Sequence, residues 1–89
     1  MVYSYIKVVD YELAKEIIRD IRNYLRIIKN NVPQEIKNKI DKKYDELLKL
    51  ENFLNINTTK ENKLILKKYS LTLKKVINGE ENPIIFLTI

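Results

Sequence analysis

Apolar positions recur along most of this chain at helical spacing. Ala14, Ile18, Ile21, Leu25, Ile28 and Val32 follow one another at steps of four and three, with Ile17 and Tyr24 widening the stripe. Such spacing predicts an amphipathic helix over about residues 11–30, with Asp10 as its N-cap and Glu12 in the dipole-favoured first turn. Asn30-Asn31-Val32-Pro33 interrupts the pattern, and Pro33 suits the first turn of a second helix, where a missing N–H costs nothing. Ile36, Ile40, Tyr44, Leu47, Leu48 and Leu54 give that helix a buried side over about 33–54. The short connection predicts an antiparallel helical hairpin.

A third helix is expected over about 58–77, opened by Thr58-Thr59-Lys60-Glu61 as a capping box and stopped at Asn78-Gly79. Its apolar side is Leu66, Tyr69, Leu73, Val76 and Ile77. Residues 70–74 also alternate as a strand would, so a hairpin of residues 71–77 with 83–89 is the competing assignment; it would set a helix beside a wing, in the manner of a winged helix. The two ends differ from the middle. Residues 2–9 (VYSYIKVV) and 84–89 (IIFLTI) are rich in β-branched and aromatic residues and read as strands. The expected fold is therefore α+β and mostly α: one domain over 1–89, with three helices and short terminal strands at about 2–9 and 84–89. Two strands make a marginal sheet, and an open, uncharged edge aggregates. The strands are expected to pair within the chain or across a homodimer.

Composition removes most chemistry. The chain has no cysteine and no histidine, a single glycine, and only Ser4 and Ser70 as serines. There is thus no thiolate or imidazole for acid–base, nucleophilic or zinc chemistry, and no glycine-rich loop for a nucleotide phosphate. Asp41, Asp45 and Glu46 are carboxylates close together on the second helix, but Lys42, Lys43 and Lys49 surround them and helical ion pairing is the simpler reading. We expect no enzyme activity and no cofactor. No apolar run is long enough to span a bilayer and no signal-peptide pattern opens the chain, so a cytoplasmic protein is expected.

Charge supplies the remaining signal. The chain carries a formal +5, and residues 58–79 alone hold six lysines against one acid, Glu61. All three arginines fall in the first helix, where Lys15, Arg19, Arg22, Arg26 and Lys29 form a second basic stripe within roughly 80° of arc. Glu12, Glu16 and Asp20 can pair with its first members, but Arg22, Arg26 and Lys29 have no acid within reach on their own helix. Arg19, Arg22, Arg26 and Lys29, with Lys60, Lys63, Lys67, Lys68, Lys74 and Lys75, are the expected nucleic-acid contacts. They would neutralise backbone phosphates of duplex DNA with little sequence preference. The alternative is a protein–protein or adaptor module whose basic faces serve solubility or an acidic partner. Two observations separate the readings: whether the stripes share one surface, and whether a large apolar patch including Leu64 and Leu71, which stand off the apolar side, or the C-terminal strand is left uncovered. Tyr3 and Tyr5 are expected to cover the helices, with stacking on bases the lesser option.

Overall fold

A computed structural model describes residues 2–89, with side-chain surroundings from Tyr5 onward. Among them no strand occurs. The order is α1 (Val2–Ile28), a 3-10 turn (Lys29–Asn31), α2 (Gln34–Phe53), α3 (Thr59–Ile77) and a C-terminal 3-10 segment (Pro83–Leu87). The expected α+β fold is thus corrected to all-α, and the ribbon through which terminal strands were to pair, within the chain or across a dimer, does not exist.

Both terminal assignments failed for one reason: an apolar, β-branched run takes its conformation from what it meets. Residues 2–9 continue α1, so Asp10 is an interior helical residue and not an N-cap. Helix propensities separate Val or Ile from Ala by only about 0.5 kcal/mol per residue, and extending an existing helix needs no new nucleus. These turns run past the body of the molecule. Tyr5 is exposed, contrary to expectation, as are Ile6 and Val8; the Tyr3 side chain lies outside the described residues. At the other end, Pro83 removes an N–H at the first 3-10 position, and the Asn82 side chain accepts from Ile84 N at 2.9 Å. The segment is apolar on several sides because it is wedged among helices: Phe86 is fully buried and meets Tyr69 edge-on, ring centroids 6.5 Å apart.

The middle of the chain matches its pattern. Ala14, Ile17, Ile18, Ile21 and Leu25 are buried, and Tyr24, Ile28 and Val32 are packed against them. Pro33 is the N-cap residue of α2, its carbonyl accepting from Ile36 and Lys37. Ile40, Leu47 and Leu54 are the buried residues at this level, while Leu48 is exposed. From α3 come Ile65, Tyr69, Leu73 and Val76, with Ile77 left out in solvent. The segment 70–77 is helical throughout, which removes the hairpin and the winged arrangement. Gly79 ends α3 at φ 77°, with Glu80 N donating to Lys75 O and Gly79 N to Val76 O, a Schellman closure.

The α2–α3 turn is built differently from the expected capping box. Thr58 is the N-cap residue of α3 but its side chain does not bond the helix N-terminus. Its hydroxyl accepts from Asn55 N at 3.0 Å and sits 2.8 Å from Asn55 O and 3.2 Å from Asn62 Oδ1. Asn62 is fully buried and donates through Nδ2 to Asn55 O at 3.0 Å, so a buried amide holds the loop.

α1 is the spine. α2 packs on one flank and α3 on the other, and α2 and α3 barely touch. α2 runs antiparallel to α1: Asp41 near its start reaches Lys29, and Glu51 near its end reaches Arg19 and Arg22. α3 runs parallel to α1, with Leu73 beside Ile17 and Ile77 beside Tyr24 and Ile27. The C-terminal segment lies against α1 and α2 on one side of this arrangement. No described helix is long and apolar enough to cross a membrane.

Candidate interaction surface

The four expected contacts on α1 and the 3-10 turn that follows it meet different fates. Arg22 lies against α2: its Nη2 donates to Glu51 Oε1 at 2.6 Å and its Nη1 to the Tyr44 hydroxyl at 3.1 Å. The guanidinium carbon also stands 5.3 Å from the Tyr44 ring centroid. With its side chain only 16% exposed and that of Glu51 12%, this pair is largely removed from solvent. Burial alone would lower the Arg22 pKa, but the bonds and charge of Glu51, then Tyr44, outweigh it and raise the pKa above the ordinary arginine value. Arg19 donates through Nε to the other Glu51 oxygen at 3.4 Å. Lys29 forms an ion pair with Asp41.

Arg26 alone of the four is exposed without an acid; it donates to Asn23 Oδ1 at 3.2 Å. The missed partners, Glu51 and Asp41, were open to discovery. An antiparallel hairpin sets residues before the bend against residues after it, here with an offset: Glu51 and Asp41 stand 18 and 8 residues past Pro33, opposite Arg22 and Lys29, 11 and 4 residues before it. Searching only within one helix hides such pairs. The expected pairing inside α1 also fails: Glu12, Glu16 and Asp20 make no ion pair among the described residues, and Arg19 turns to α2 instead. Nor do Asp41, Asp45 and Glu46 form helical pairs with neighbouring lysines. Among the described residues, no cluster of acids has the makings of a metal site.

α3 presents the opposite picture. Lys60, Lys63, Lys67, Lys68, Lys74 and Lys75 are all exposed, and none makes an ion pair among the described residues. Lys68 Nζ lies 5.3 Å from the Tyr69 ring centroid, a cation–π contact. At about 100° per residue, Leu64 and Leu71 stand in line on the side of α3 turned from the core. They are 59% and 65% exposed, so the fold does not use them. Lys60 and Lys67 flank this apolar ridge on one side, Lys68 and Lys75 on the other.

The two basic stripes therefore do not merge. The α1 stripe faces α2 and is mostly neutralised there, while the α3 stripe lies beyond the other flank of α1. In comparisons with known proteins, no family model, no curated protein and no solved structure matches this chain.

Proposed function

We propose that this chain is a non-enzymatic interaction module that docks an acidic, amphipathic segment of a partner protein on the outer face of α3. The observation that carries this reading is the ridge of Leu64 and Leu71, exposed between two rows of unpaired lysines. An amphipathic helix with leucines on one side and carboxylates beside them would bury that ridge and meet lysines along both edges. Phosphate backbones fit it less well. A duplex gains nothing from leucines at the centre of its contact, and Arg19, Arg22 and Lys29 are engaged with α2. Phosphate binding by the α3 lysines alone is the competing reading, and one titration separates the two.

The protein is titrated against a labelled acidic amphipathic peptide, a scrambled peptide of equal charge, and a DNA duplex, each across a salt series. The expected result is micromolar binding of the amphipathic peptide at physiological salt. It should be at least tenfold weaker for the scrambled peptide and for Leu64→Ser/Leu71→Ser, and weakened by Lys68→Glu/Lys75→Glu. Duplex binding that survives physiological salt, with a log–log salt slope near about −0.9 per phosphate engaged and no response to the leucine changes, would replace this reading with DNA binding.

A further inference from the structure

An open apolar groove of about 460 Å³ runs between α1 and α3, where Ile17 faces Leu73 and Ile77. It continues into a second depression shared by Tyr24, Ile27 and Ile77. Much of this surface is bare: Ile27 is 66% exposed, Leu71 65% and Ile77 55%. A strip of this kind along two packed helices is what a partner covers, and the identity of that partner is constrained by charge.

The two lips of the groove carry opposite signs. Glu12, Glu16 and Asp20 recur every fourth residue on the α1 side, and Asp20 lines the second depression. Lys63, Lys67 and Lys74 hold the α3 side, and Lys74 lines the first depression. None of these six charges makes an ion pair among the described residues. An acidic peptide, a phosphate backbone or an anionic membrane laid in the groove would suit the lysine lip and leave the acidic lip facing like charge. A surface with one acidic and one basic edge is complementary to itself.

We infer that a second copy of this chain covers the groove. A two-fold axis running along it lays α1 of each copy over α3 of the other, with all four helices pointing the same way. The apolar floors then meet, and each acidic lip lies over its partner's basic lip. The heights agree, because α1 and α3 are parallel and Asp20 shares a depression with Ile77, less than one turn beyond Lys74. An axis across the groove would instead set α1 on α1 and acid on acid. This dimer differs from the strand-paired one expected from the sequence. It leaves Leu64, Lys68 and Lys75 open but takes up Leu71 and Lys67, so the reversal at Glu16 and Asp20, which the peptide-docking reading does not use, tests it separately.

The test is solution mass, by sedimentation or light scattering, for the wild type and two lip reversals checked for intact helicity by circular dichroism. Glu16→Lys/Asp20→Lys makes the groove predominantly basic, leaving only Glu12 of the acidic lip, and Lys67→Glu/Lys74→Glu makes it predominantly acidic, leaving only Lys63 of the basic lip. The expected result is a wild-type dimer, each reversal weakening self-association on the order of tenfold or more, and a one-to-one heterodimer when the two variants are mixed. A wild type that stays monomeric up to roughly millimolar concentration overturns the inference. So does a dimer indifferent to both reversals, or a mixture that yields no heterodimer.

Discussion

Along its seam with α2, α1 sets Arg19 and Arg22 against Glu51 and Lys29 against Asp41, around a core closed by Phe86. Along its seam with α3, charges of both signs make no ion pair among the described residues and lie beside bare Ile27 and Ile77. The same spine thus has one flank finished within the chain and one left open. The contrast teaches that a run of cations measures charge and not availability. Arg22, without an acid on its own helix, is satisfied by Glu51 of α2, whereas the lysines of α3 meet the acids of α1 only across an open groove and pair with none of them among the described residues.

The contrast breaks most strongly at the closed side. Phe86→Ala removes a fully buried ring between α1, α2 and Tyr69, and should cost about 3–5 kcal/mol in urea unfolding and lower Tm by roughly 15 °C or more. A loss under about 1 kcal/mol would mean that the C-terminal segment is an appendage and not part of the core.

Next in size is Arg22→Ala, which leaves Glu51 in a largely buried position with only the longer 3.4 Å contact to Arg19, and should cost about 2–3 kcal/mol, reduced from the fully buried case by Arg19 and residual solvent. Arg26→Ala, one turn on, should stay within about 0.5 kcal/mol. Equal losses would remove the distinction between engaged and idle arginines. The Arg22 pKa is raised, so its stabilisation is complete at every pH below the unfolded arginine value and is lost only as pH rises through the still higher folded value. The cost of Arg22→Ala should accordingly be the same at neutral and mildly alkaline pH.

The smallest effect belongs to the open side. Leu64→Ser/Leu71→Ser should change stability by no more than about 0.5 kcal/mol per site while weakening peptide docking at least tenfold. A large destabilisation would show that these leucines serve the fold.

Much of the helical architecture was legible. The stripe of Ala14, Ile18, Ile21 and Leu25 marks the buried side of α1, and Pro33 and Asn78-Gly79 mark real boundaries, because caps and amphipathic periodicity act over a few residues. Asn62 could also have been placed: it stands seven residues before Tyr69, on the buried side of α3. The terminal runs could not be read the same way. Val and Ile at residues 2–9 and 84–89 announce only that apolar surface needs covering, and a strand, a helix or a buried turn can each supply that.

By itself the sequence determined three helices, most of the residues that face their common core (Ile65 was missed, and Leu48 and Ile77 stay in solvent), an absence of thiol and imidazole side chains, and a cluster of lysines on the third helix. These depend on neighbours within a turn or two of the chain or on composition alone. The tertiary structure decided that both ends are helical, that α1 lies between the other helices, that Glu51 and Asp41 neutralise the α1 cations, and that Leu64 and Leu71 stay in solvent. Each of those depends on which surfaces meet across the fold. Ion pairs and burial follow from distance in space, which pairs residues as remote in sequence as Arg22 and Glu51.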